Sequence, residues 1–299
     1  MNLTVHTRTL AVLATAFLAC SPLTSAQNPS QDGVQGVGKM SAARKLVSAE
    51  QIEAQAAKEY KQTLAEAQQQ RALAPPEHPQ SQRLRAIANR LIPHVAKWND
   101  RSPQWQWEVN LIGSSQINAF CMPGGKIAFY SGILDTLKLT DDEVGLVMGH
   151  EIAHALREHG RERAGKQMAA NIGTTIADIG SQLFGFGGLG RMVVGGGASL
   201  LNLKYGREDE TEADLVGLDI AARAGFDPRS GVVLWQKMAA GNKGAPPQWL
   251  STHPSGQNRI AEISKHLPEV MPLYAKTRGV AVAQLPAYQS NWPNLAPVK

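Results

Sequence analysis

The stretch that most constrains this chain is His150-Glu151-Ile152-Ala153-His154, a pair of histidines four apart inside an apolar segment. On a helix, positions i and i+4 share a face, so His150 and His154 would point the same way. The surroundings read as such a helix. Thr140-Asp141-Asp142-Glu143 has the pattern of a capping box, and acids in the first turn suit the helix dipole. Val144, Leu146, Val147, Ile152, Ala153 and Leu156 make the segment apolar, and Gly160 is expected to close it. Two unpartnered imidazoles would be costly to bury there. With eight histidines in 299 residues, chance supplies roughly 0.2 pairs at this spacing, and requiring Glu after the first leaves on the order of 0.01. The expected partner is one zinc ion. Glu151 is then placed to reach a water at the metal rather than the metal itself. Zinc lowers the pKa of such a water to about 7, and Glu151 is the expected catalytic base.

A catalytic zinc site takes three protein ligands. The metzincin pattern would need glycine and histidine where this chain has Arg157 and Gly160. His159, five residues after His154, is expected off the ligand face, in solvent or beside the helix C-terminus. The third ligand is sought in a second helix, from Tyr205 to about Ala224, stopped by Gly225. Helical phase puts Glu210, Ala213, Asp214, Gly217 and Ala221 on one face. Apart from its two acids that face is built of small residues, which allow close approach to another helix. Glu208, Glu212 and Asp219 fall elsewhere and read as solvated charges. Glu210 is the expected ligand. Asp214, one turn on, is expected to accept an imidazole N–H from a ligating histidine. Arg207 shares the face and would orient a carboxylate or bind substrate, an ordinary surface arginine being the alternative.

With HExxH followed by Glu210-Thr211-Glu212-Ala213-Asp214, the chain resembles the HtpX and CAAX-prenyl-protease type of zinc metalloendopeptidase. Two further segments are similar to that family: Asn118-Ala119-Phe120-Cys121-Met122-Pro123-Gly124-Gly125-Lys126-Ile127-Ala128-Phe129-Tyr130-Ser131-Gly132, and Ser251-Thr252-His253-Pro254-Ser255 followed by Arg259-Ile260. The resemblance covers about residues 80 to 267. It implies zinc on His150, His154 and Glu210 with Glu151 as base. The implied fold is α+β, mostly α, zincin-like, with a small sheet and hairpin flanking the HExxH helix.

Pro123-Gly124-Gly125 reads as a turn between strands Ile117–Cys121 and Lys126–Tyr130. An edge strand along the cleft would pair with an extended substrate through main-chain hydrogen bonds. Asn118 and Ala119 are the candidate substrate-binding rail, an ordinary packed hairpin being the alternative. His253, before Pro254, is expected in an extended or turn segment. It would donate to the oxyanion, or, as the resemblance to periplasmic members suggests, ligate zinc in a latent state. A third reading is a loop histidine that caps the next helix.

At the N-terminus, Arg8, the apolar run Leu10–Ala19 and Thr24-Ser25-Ala26 read as a signal peptide over 1–26, too short to span a bilayer. The periplasm is the expected address, with lipoprotein processing at Cys20 as the alternative. Cys121 is then the sole remaining cysteine and no intramolecular disulfide is expected. The net charge of +5 is spread along the chain, which argues against a nucleic-acid partner. Residues 27–79 are expected to be a flexible segment plus an exposed helix over Ser48–Arg71, capped by Ser48. Gln80–Lys97 reads as a helix and Trp105–Ile112 as a strand. The peptidase domain is placed at 80–267 and an irregular tail at 268–299. No helical repeat is visible. The glycine-rich apolar stretch 171–203 is expected to be a lid or a peripheral membrane contact, a packed helix pair being the alternative. Resemblance and address together imply unfolded or misassembled envelope proteins as substrates.

Overall fold

A computed structural model of the chain describes residues 32–174, 200, 204–241, 248–253 and 258–299. The expected signal peptide, with Ala26 and Cys20, lies outside the described residues, as does nearly all of the stretch expected to form a lid or membrane contact. The fold is mostly helical with one small sheet, and Asp32–Lys299 forms one unit.

The sheet has strands β1 (Glu108–Ile112), β2 (Ala119–Met122) and β3 (Lys126–Tyr130) in the order β1-β3-β2. Central β3 runs parallel to β1 and antiparallel to β2, with Ala119 opposite Phe129 and Met122 opposite Lys126. The hairpin turns on Gly124 and Gly125, whose φ angles of 82° and 80° suit glycine. At Gly125 a Cβ would also stand 2.8 Å from the Trp107 ring. Both sheet faces are covered. Val109, Leu111, Ile127 and Phe129 join the main core, while Ile112, Met122 and Ala128 pack with Ala56, Tyr60 and Ala67 of α1 (Ala49–Gln69).

Helix α1 corrects the expectation of an exposed helix. Ser48 caps it as the sequence suggests, accepting from the Gln51 N–H. One stripe, Ile52, Ala56, Tyr60 and Ala67, is nevertheless buried, and the Tyr60 hydroxyl donates to the Ile127 carbonyl at 2.6 Å. An alanine stripe is weakly apolar, yet its small side chains let a helix lie close on a sheet. The preceding segment makes contacts with the core from Asp32 on: the Val34 N–H donates to buried Asp219. Helix α2 (Pro79–Leu91) is shorter than the expected Gln80–Lys97. Pro93 has no N–H with which to continue the helical ladder, and the chain passes into a 3-10 turn, Ile92–His94.

After the short α3 (Ser131–Leu137) comes α4 (Asp141–Leu156), which carries the histidine pair. Its capping box is formed in both directions between Thr140 and Glu143. The helix ends at Leu156 rather than Gly160. Glu158 takes a left-handed φ of 56°, and its carboxylate sits between Arg44 (2.5 Å) and Arg161 (2.8 Å). Helix α5 (His159–Thr174) starts at once. Helix α6 (Arg207–Arg223) crosses α4 on its small-residue face. A Cβ on Gly217 would lie 2.7 Å from the His150 backbone nitrogen, and one on Gly149 would lie 2.9 Å from the Gly217 carbonyl. Gly217→Ala is therefore expected to force the metal-bearing helices apart and cost about 1–3 kcal/mol or more in urea unfolding. An unchanged unfolding midpoint would show that this approach is not tight.

Helices α7 (Ser230–Gly241), α8 (Gln248–Thr252) and α9 (Arg259–Arg278) complete the core. The expected irregular tail from Pro268 instead begins as helix, because α9 continues through Pro268 and Pro272 to Arg278. Val270, Met271, Leu273 and Ala275 are buried on its far half. That burial, at about 1.5–3 kcal/mol per large side chain, offsets the roughly 3 kcal/mol cost of a proline inside a helix. Among the described residues, no helix is long and apolar enough to cross a membrane.

Candidate metal centre

Four buried side chains converge where α4, α6 and the end of α8 meet: His150, His154, Glu210 and His253, with one donor atom from each inside a 4.8 Å group. Nε2 of His150 and Nε2 of His154 are 3.1 Å apart. Glu210 approaches them at 3.6 and 3.4 Å. His253 Nδ1 is 3.3 Å from His150 Nε2 and 3.0 Å from Glu210. Donors about 2.0–2.1 Å from a tetrahedral zinc are about 3.3 Å from one another, so these edges fit that ion.

The proton inventory points the same way. His150 turns Nδ1 to the Asp214 carboxylate at 3.0 Å and Nε2 to the other three side chains. Burial holds the His154 imidazole neutral, well below its usual range, despite the nearby Glu210. Burial alone would raise the Glu210 carboxyl, but its close imidazole neighbours hold it far below the usual carboxylate range. Three imidazole nitrogens and a carboxylate packed around one point are a donor set that a divalent cation satisfies.

Glu151 is buried beside the cluster but is not part of it. Its Oε1 accepts from the Trp249 indole N–H at 2.6 Å and lies 3.6 Å from His253 Nε2. The carboxylate faces a cleft lined by Gln116 and Asn118–Pro123 along edge strand β2, and by His154, Tyr205 and His253. Asn118 and Ala119 thus lie on the cleft wall. The Asn118 side-chain oxygen accepts from the Ala119 N–H at 3.0 Å, so this donor of the expected rail is engaged within the chain.

Several expectations are corrected. Arg207 is exposed at the start of α6, and the arginine at the cluster is Arg259, the first residue of α9. Arg259 donates to both Asp214 oxygens at 2.5 and 2.7 Å and to Glu210 at 2.7 Å, with its guanidinium 3.8 Å over the Trp235 ring. The signal for it lay in the Arg259-Ile260 pair of the C-terminal segment, but helical phase within α6 could not reach another helix. His253 is not in a free loop. It is buried just after α8, its N–H donates to the Trp249 carbonyl at 2.8 Å, and its ring stacks on Trp249. His159 is buried, not solvated, with Nδ1 2.9 Å from His154 Nδ1 and Nε2 2.8 Å from Glu212. Glu212 also takes Arg157 at 2.6 Å, and Asp219 is fully buried with Arg223 at 2.7 Å, so neither is a solvated charge. Trp249, which no sequence motif singles out, sits one helical turn before His253.

The profile of peptidase family M48 matches residues 78–267. Over 224 residues the chain is 31% identical to the mitochondrial metalloendopeptidase OMA1 of Saccharomyces cerevisiae, covering 70% of this chain and 62% of that protein. It is 32% identical over 193 residues to the mitochondrial metalloendopeptidase OMA1 of Homo sapiens, covering 60% and 36%. With the beta-barrel assembly-enhancing protease of Escherichia coli it shares 26% over 209 residues, covering 66% and 41%. The matches thus span less than two thirds of these relatives' own lengths.

Proposed function

The chain belongs to peptidase family M48, and from that premise we propose that it is a zinc-dependent endopeptidase of the bacterial cell envelope that cuts damaged or misassembled proteins. The observation that carries the reading is Glu151: a buried carboxylate that is not in the metal cluster, yet is held by Trp249 at the mouth of a cleft shared with that cluster. A purely structural zinc site has no use for it. The envelope address rests on the N-terminal sequence, and the substrate class on the family resemblance taken with that address; the Escherichia coli relative is by name an enhancer of beta-barrel assembly.

In this reading His150, His154 and Glu210 hold the ion, which when bound acts as a Lewis acid and lowers the pKa of a water. Glu151 takes the proton of the attacking water and passes it to the leaving amine. Trp249 fixes which carboxylate oxygen is free to do so. Arg259 and Asp214 hold Glu210 and His150 in their rotamers. Strand β2 offers its free edge to an extended chain, which tolerates varied side chains; Asn118 would release the Ala119 N–H to the substrate.

His253 sets a second reading, an assembly factor or chaperone whose protease is normally latent. Its Nδ1 stands at the fourth corner of the cluster, the position a catalytic site keeps open. His253→Ala is therefore expected to raise cleavage of unfolded casein over wild type at equal zinc loading. A fall of about 10²–10³-fold would instead make His253 the oxyanion donor, and no change would remove it from both roles.

A further inference from the structure

We infer that His159 is a positioning residue for His154, holding that ligand through a relay that continues to Glu212 and Arg157 and ends on the backbone carbonyl of Gly38. The inference rests on the reading of His154 as a metal ligand. A ligating histidine usually gives its other N–H to a carboxylate, a carbonyl or water. His150 does so directly, to Asp214, with Arg259 behind. Among the described residues, His154 has no carboxylate at its Nδ1. It has the Nδ1 of a second imidazole, at 2.9 Å.

The protons of this contact follow from the geometry. His154 turns Nε2 to the cluster, so its N–H is on Nδ1. His159 Nδ1 must then accept, which puts the His159 proton on Nε2, and that atom faces Glu212 Oε2 at 2.8 Å. The other Glu212 oxygen accepts from Arg157 Nη2 at 2.6 Å, and the same nitrogen donates to the Gly38 carbonyl at 2.5 Å. Both Glu212 oxygens and both His159 nitrogens are thereby engaged, and His159 is only 1% exposed.

The early end of α4 is what makes this arrangement. In a continuous helix His159 would stand about 140° around the axis from His154. The left-handed turn at Glu158 brings it back beside the ligand. The inserted imidazole also lengthens the reach from His154, so that Glu212, which is off the Glu210 face, can serve it. Helix α6 thus supplies Glu210 to the metal, Asp214 to one histidine and Glu212 to the other.

The test measures zinc affinity by chelator competition in wild type, His159→Phe and His159→Gln. Phenylalanine fills the space without the relay. Glutamine can accept from His154 and donate to Glu212. His159→Phe is expected to weaken zinc about 10–100-fold, and His159→Gln to stay close to wild type. Equal affinity of His159→Phe and wild type overturns the inference, as does a His159→Gln loss as large as that of His159→Phe, which would mark a role of shape alone. Failure of wild type itself to bind zinc overturns the metal reading and this inference with it. Independently of whether the variants fold, nitrogen-15 NMR of the zinc-loaded wild-type protein reads the tautomer. A bare Nδ1 and protonated Nε2 on His159 support the relay, and a cationic or reversed ring overturns it.

Discussion

Glu151→Gln is expected to keep its zinc and lose about 10²–10⁴-fold or more in peptidase rate. The side chain is outside the group of donors that converge on the ion, so metal content should not move. Glutamine has nearly the same shape, and its carbonyl can still accept from Trp249 Nε1, which now lies 2.6 Å from the carboxylate. The fold and the cleft wall should therefore persist. Only the capacity to take a proton from water is removed. Zinc analysis beside casein digestion, on wild type and variant, separates the two effects. Wild-type cleavage by the variant would refute Glu151 as base.

The second large effect concerns the third ligand. Glu210→Ala should strip the chain of zinc at concentrations that saturate wild type. It removes an ionised donor within 3.6 Å of both His150 and His154, and it also takes a partner from Arg259. Glu208→Ala, at an exposed position, should change nothing. Asp214→Asn should weaken zinc by about 10–100-fold, as changes in groups behind the ligands do. Zinc content after dialysis, measured across this series, decides. Metal loss from Glu208→Ala with retention by Glu210→Ala would contradict the assignment of α6.

How much of this was legible in the sequence varied with distance along the chain. Local signals were strong. The Thr140 capping box, the turn at Gly124 and Gly125 and the small face of α6 each reflect rules of a few residues, and the structure has all three. The meeting of His150, His154 and Glu210 could be read because spacing and helical phase are themselves local. What could not be read were partners supplied from afar or by a break in a helix. Arg259 reaches Asp214 across 45 residues of sequence. His159 reaches His154 because the helix stops at Leu156, where no glycine or proline marks the end and the buried Glu158 ion pairs hold the turn. Pro268 was read as a helix end, whereas burial of the segment beyond it carries α9 on. Phase on α6 alone makes Glu212 and Asp219 look like solvated charges, although other elements cover that face.

The central claim is that one zinc ion at His150, His154 and Glu210 makes this chain a peptidase. Cleavage of unfolded casein, followed while the chelated protein is titrated with zinc, tests it most directly. Wild type and His253→Ala are run together, and the more active of the two is read. The account predicts that chelation abolishes cleavage and that one equivalent of zinc restores it. Cleavage that survives metal removal, or that neither protein shows when fully loaded, would contradict it.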